Sequence, residues 1–142
     1  MTPKHNISPI DLGGAGEFFT CYKSIMEGYQ AFPVSNLPYD VVVNANPNLY
    51  KIQVKTSTYY GGRPSVVFQL IRRTMNYKKK KCIDVKYKAD DFQIYAFVEP
   101  LLMKVAFLST DEITTQYKIN IHPDDFDKYT LKRAIQNIKR PL

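Results

Sequence analysis

Three side chains in two neighbouring stretches could perform metal-assisted chemistry together. Tyr39-Asp40-Val41-Val42-Val43-Asn44 and Tyr50-Lys51-Ile52-Gln53-Val54-Lys55-Thr56 read as two short strands, joined by an Asn/Pro turn over Ala45 to Leu49. Side chains alternate along a strand, so Asp40, Val42 and Asn44 share one face of the first, opposite Val41 and Val43. On the second strand Lys51, Gln53 and Lys55 share a face, opposite Tyr50, Ile52 and Val54. A register that sets Asp40 beside Gln53 and Lys55 groups a carboxylate, an amide oxygen and an ammonium. That set offers two oxygen ligands to a hard divalent cation, with a positive charge beside them. The alternative is a sheet edge whose polar residues simply face water, as lysines on edge strands often do. Gln53 lies between apolar Ile52 and Val54, one strand after Tyr39-Asp40, which is a more particular arrangement than a wet edge requires.

A helix must support these strands, and the best candidate precedes them. After Gly13-Gly14-Ala15-Gly16, apolar residues at Phe18, Tyr22, Ile25, Met26 and Tyr29 recur at helical spacing, and Gly28 suits a C-terminal cap. No strand precedes the glycines and no Gly-Lys-Ser/Thr follows, so they are not a phosphate loop. Small residues at 14, 15 and 16 instead let the helix approach a neighbouring backbone closely. Glu17 falls in the expected first turn, where the helix dipole favours an acid. If that turn faces Asp40, Glu17 adds a third oxygen ligand, directly or through water.

Further along, Ala31 to Leu37 reads as a short strand or extended link, with Val34 to Pro38 leading into Tyr39. Ser65 to Arg73 reads as another strand, with Val67, Gln69, Ile71 and Arg73 on one face, and an antiparallel meander is the simplest arrangement of the three strands. A basic run follows: Arg72, Arg73, Lys78, Lys79, Lys80, Lys81, Lys86 and Lys88, interleaved with Tyr77 and Tyr87. Such a run is either a solvated loop or a surface that tracks phosphates and positions a duplex without reading its sequence. Ile94 to Val98 and Leu102 to Ser109 form an expected hairpin. Phe126, Tyr129, Leu131, Ala134, Ile135 and Ile138 predict a final helix from Asp124-Asp125 to about Lys139. The pairs Asp90-Asp91, Asp111-Glu112 and Asp124-Asp125 sit at expected element starts, where capping explains them.

The chain has 142 residues, which suits a single domain, 1–142, with residues 1–11 a loosely ordered arm. Twenty Lys and Arg against thirteen Asp and Glu give a net charge of +7, which favours a polyanionic partner, nucleic acid first. Cys21 and Cys82 belong to no Cys/His cluster, and His5 and His122 are isolated, so a structural zinc site is not expected. With no membrane span and no signal-peptide pattern, the expected setting is soluble and cytoplasmic.

With helix, Asp strand and Gln-x-Lys strand in that order, the sequence resembles the PD-(D/E)XK nuclease superfamily. Gly16-Glu17, Pro38-Tyr39-Asp40 and Gln53-Val54-Lys55 carry the likeness, which is strongest from Gly13 to Thr58 and weaker to Phe107. The small homing endonucleases of bacterial group I introns, which also use glutamine in the second motif, look most similar. Gln53 stands where most of the superfamily has an acid, and removes one negative charge from the site. The resemblance implies an α/β (α+β) restriction-endonuclease-like fold, with a mixed central sheet flanked by helices in the order αβββαβ. It implies a metal-dependent DNA endonuclease, site-specific, in which Asp40, the Gln53 oxygen, the Val54 carbonyl and Glu17 hold Mg²⁺, with Mn²⁺ able to substitute. Lys55 would orient or activate the attacking water. Arg63, Arg72, Arg73, Tyr77 and Lys78 to Lys81 would hold double-stranded DNA, and two strands are most simply cut by a homodimer or homotetramer. Three other readings share these residues: a Holliday-junction resolvase-like nuclease, an inactive DNA-binding module on the same scaffold, and an unrelated basic RNA-binding protein.

Overall fold

The computed structural model describes residues 5–76, 81–85 and 91–139. Ser8 caps the first helix, α1 (Pro9–Met26), by accepting a hydrogen bond from the Asp11 N–H. Pro9 to Asp11, expected in the arm, therefore form the first turn of α1, because Ser-Pro is itself a helix start. Gly28 follows the Glu27 cap at φ +100°, the left-handed conformation that ends many helices. Strands β1 (Gln30–Pro33), β2 (Val41–Ala45) and β3 (Asn48–Thr56) then form an antiparallel meander, with Val41 opposite Ile52 and Val43 opposite Tyr50.

The next strand in space is β7. Chain order first gives β4 (Val66–Gln69), β5 (Arg72–Asn76), β6 (Lys81–Val85), β7 (Ile94–Glu99), β8 (Lys104–Ser109) and β9 (Lys118–Ile121). β7 pairs parallel to β3 and antiparallel to β8, completing a five-stranded mixed sheet in the order β1-β2-β3-β7-β8. A parallel partner requires a long crossover, and residues 57–93 supply it. Within the described residues this crossover is made of strands. β5 and β6 pair as an antiparallel hairpin, and β4 pairs with β9.

The continuous strand expected from Ser65 to Arg73 is thus two strands, separated where Leu70 and Ile71 turn into the core. The meander is β1-β2-β3 and excludes β4, because β3 takes β7 as its second neighbour. β9 was not anticipated. Lys118-Ile119-Asn120-Ile121 is too short to announce itself and becomes a strand by pairing with β4.

Apolar cores cover both sides of the sheet. One, on the helix side, gathers Val41, Val43, Ile52, Val54, Ile94, Ala96, Val98 and Phe107 beneath Cys21, Leu131 and Ala134. The other packs Tyr95, Phe97, Ala106 and Leu108 against Val66, Phe68, Ile121 and Phe126. β7 is consequently buried at every residue, and its sequence runs apolar where a half-exposed strand would alternate.

The expected final helix is broken. Pro123–Lys128 is a 3-10 helix capped by His122, and α2 spans only Leu131–Gln136. The restart at Leu131 has two causes. Thr130 accepts the Arg133 N–H, and Glu27, at the end of α1, accepts the N–H groups of Leu131 and Lys132 at 2.8 and 3.1 Å. Among the described residues no helix is long and apolar enough to cross a membrane.

Candidate active site

The predicted register is present. Asp40 immediately precedes β2, and its backbone N–H donates to the Ile52 carbonyl at 2.9 Å. Its carboxylate Oδ2 accepts from Gln53 Nε2 at 2.8 Å and from the Val54 backbone N–H at 2.9 Å. Gln53 is buried at 8% exposure, so this amide is a fixed part of the site rather than a wet edge residue. Lys55, two residues on and on the same face, is close enough for its charge to favour ionised Asp40.

Glu17 arrives from α1. Helix and strand meet closely because residue 16 is glycine: a Cβ there would collide with Thr56 Oγ1 at the end of β3. Thr20 and Ser24 continue the contact face, each turning its hydroxyl back to the carbonyl four residues earlier and so presenting little bulk to the sheet. Glu17 lies two turns inside α1, so the helix dipole does not account for an acid there.

Burial is the main cause holding both carboxyls above the usual carboxylate range. For Glu17 the nearby Asp40 charge adds to it, while for Asp40 the Val54 N–H and Lys55 partly offset it. Burial, with Glu17 one turn away, also pushes the Cys21 thiol up, so this free cysteine has no thiolate character. Two half-buried acids held above the usual range, with the Asp40 charge adding to the effect at Glu17, form a site short of positive charge. Hard oxygen donors with excess negative charge suit Mg²⁺ or a similar ion. Among the described residues no three His, Cys, Asp or Glu side chains gather as a metal cluster. This site brings two acids together with the Gln53 amide, whose Nε2 faces Asp40.

Beside the end of β3 lies an open cleft of about 360 Å³, lined by Pro9, Leu12, Thr56, Ser57, Thr58 and Tyr60 among others. The hydroxyl-rich run after Lys55 is visible in the sequence, but its position against the start of α1 is a tertiary result. Arg63 lies on the following loop, exposed, with its guanidinium 5.5 Å from the Tyr60 ring centre. Arg72 and Arg73 are on β5 and Lys81 begins β6, so these expected DNA contacts belong to one hairpin. Tyr77, Lys78, Lys79 and Lys80 lie outside the described residues, as do Lys86, Tyr87, Lys88 and Asp90. The remaining acid pairs have structural placements. Asp111 and Glu112 lie in a 3-10 turn (Thr110–Glu112), and Asp124 and Asp125 in the first turn of the 3-10 helix Pro123–Lys128.

The mixed sheet thus carries a carboxylate, an amide and a lysine along two adjacent strands, met by a helix-borne glutamate. The chain belongs to the PD-(D/E)XK endonuclease family, whose profile matches residues 8–138. Its fold is similar to that of the bacterial homing endonuclease I-Ssp6803I, with a TM-score of 0.75 over 94% of this chain and 100% of that one, at 17% sequence identity. No curated protein matches the chain in sequence.

Proposed function

We infer that this chain is a Mg²⁺-dependent DNA endonuclease that hydrolyses phosphodiester bonds at specific sites. The observation that carries this reading is the Asp40 carboxylate, fixed by Gln53 and Val54 beside Lys55, with Glu17 brought alongside. Asp40, Glu17, the Gln53 Oε1 atom and the Val54 carbonyl would hold the ion. A strand residue's N–H and C=O leave the backbone on the same side, so that carbonyl shares the edge on which Val54 meets Asp40. When bound, Mg²⁺ supplies charge stabilisation at the phosphoryl and leaving oxygens.

The protein's own groups do the rest. Gln53 and the Val54 N–H orient Asp40, so the carboxylate need not reorganise as charge develops. Lys55 orients the attacking water and stabilises negative charge on it. Glu17, with a raised proton affinity, is suited to accept a proton from a water near the scissile phosphate. Arg63, Arg72, Arg73, Tyr77 and Lys78 to Lys81 would track the DNA backbone on either side, as their charge and place along the chain suggest. The family membership supports a nucleic-acid substrate, and the fold shared with a bacterial homing endonuclease favours site-specific cutting of duplex DNA. Cutting both strands calls for more than one copy, a homodimer or homotetramer. Two cysteines far apart in the sequence and in no Cys/His cluster fit a reducing compartment, which supports a cytoplasmic setting.

The test is incubation of supercoiled, linear and cruciform-containing DNA with wild type and Lys55→Ala, in Mg²⁺ or EDTA. Discrete linear products from wild type in Mg²⁺ alone are expected. Preference for the cruciform would replace this reading with a resolvase-like one. Equal DNA binding by both proteins with no cutting of any substrate would leave a binding module.

A further inference from the structure

The apolar repeat of α1 faces the wrong way for a monomer. Ile10, Phe18, Tyr22, Ile25 and Met26 are between 53% and 86% exposed, whereas the buried face of the helix is Gly16, Thr20, Cys21 and Ser24. At about 100° per residue Phe18, Tyr22, Ile25 and Met26 fall on the side of the helix away from Gly16, Thr20 and Ser24, whereas Ile10 shares a line with buried Cys21. Monomers rarely leave a continuous apolar stripe of this length in water. Gly14, half-buried, borders this stripe one heptad before buried Cys21. Thr56 explains Gly16, but a Cβ at residue 14 would meet nothing within 4 Å, so the monomer gives no packing reason for a residue disfavoured inside helices.

We propose that this stripe is the contact through which two copies of the chain pair, α1 against α1 and antiparallel. In an antiparallel pair crossing level with Thr20, Gly14 and Ala15 of one helix lie level with Met26 and Ile25 of the other. Phe18 lies level with Tyr22. Large residues then meet small ones at both ends, with aromatics at the centre, a self-complementary pattern of the kind an isologous interface requires. Phe18, Tyr22, Ile25 and Met26 from each copy remove on the order of 1,000 Å² from water, the scale at which specific interfaces begin.

Charge selects the same occupant. In a chain of net charge +7, α1 carries only Lys23 as a base, against Asp11, Glu17 and the capping Glu27. That helix attracts neither nucleic acid nor an anionic membrane. The choice of a second copy also draws on the nuclease reading, because one site cuts one strand at a time, but the pairing geometry does not depend on it. Glu17 lies on the same helix, so pairing would fix two active sites relative to each other.

Light scattering on the full chain without DNA tests this directly and reads nothing of catalysis. Wild type is expected at a mass above the 16.4 kDa of one chain, and Ile25→Glu at a lower one, with circular dichroism reporting that the variant is folded. Phe18→Lys, on a more exposed position, gives the same reading should Ile25→Glu misfold. An Ala15→Cys/Met26→Cys double variant should oxidise to a covalent dimer that wild type does not form. Its two thiols are about 16 Å apart within one chain, beyond disulfide reach. A wild type at single-chain mass, or stripe variants with unchanged mass, overturns the proposal. Cleavage with a monomeric wild type would overturn the pairing and leave the nuclease reading intact. Pairing without cleavage would do the reverse.

Discussion

Two acid clusters in this molecule are built on opposite principles. Around Glu112 the acid itself is matched: the carboxylate accepts from the Ser109 N–H at 2.8 Å and from Asn137 Nδ2 at 2.9 Å, and Arg133 Nη1, which makes no hydrogen bond, lies 2.6 Å away as an ion pair. It ties the end of β8 to the end of α2. Around Asp40 and Glu17 the opposite holds. Two half-buried carboxyls lie near each other, both held above the usual range, with Lys55 providing only partial compensation. A matched acid stabilises a fold by itself. An undermatched pair keeps a standing affinity for a cation at some cost to the metal-free fold.

The largest expected effect breaks the undermatched cluster. Asp40→Asn or Lys55→Ala should lower cleavage of a cut plasmid substrate by roughly 10²- to 10³-fold or more while leaving the circular dichroism spectrum unchanged. A variant retaining wild-type rates would remove the distinction between the clusters. Next, Glu112→Ala should cost about 2 kcal/mol in urea unfolding, because it strands Arg133, Asn137 and the Ser109 N–H. Its activity per folded molecule should stay near wild type. Glu27→Ala, which removes the acceptor for two N–H groups at the start of α2, should cost about 1 kcal/mol by the same measurement.

The smallest effect is the most diagnostic. Glu17 binds its proton more tightly folded than unfolded, so its contribution to stability is fully present below the ordinary value of 4.5 and is lost as pH rises through the raised folded value. In EDTA, Glu17→Gln should therefore melt slightly higher than wild type at pH 7, and the gap should close below about pH 4. Added Mg²⁺ should raise the wild-type melting temperature and not that of Asp40→Asn. Its affinity should weaken with acidification at higher pH than for ordinary carboxylates. A flat difference across pH would mean the two acids are not coupled.

The sequence alone determined the heart of the site. Asp40, Gln53 and Lys55 share a face because alternation is local and a short turn leaves two strands little choice of register. The β7–β8 hairpin was legible for the same reason. Elsewhere local pattern and tertiary context disagreed, and context prevailed. The helical periodicity of α1 was read correctly, but its apolar side faces outward because Gly16, Thr20 and Ser24 admit a closer approach to β3. The last apolar repeat became two pieces because Glu27, 104 residues from Leu131, caps the second. β4 left the meander for β9, since strand pairing is decided by which edge is available rather than by chain order. Glu17 could be nominated from its type, but its meeting with Asp40 depended on one glycine against one threonine. Short-range periodicity lies in the sequence, whereas the choice of neighbour comes from burying surface against a particular partner, which only the folded chain decides.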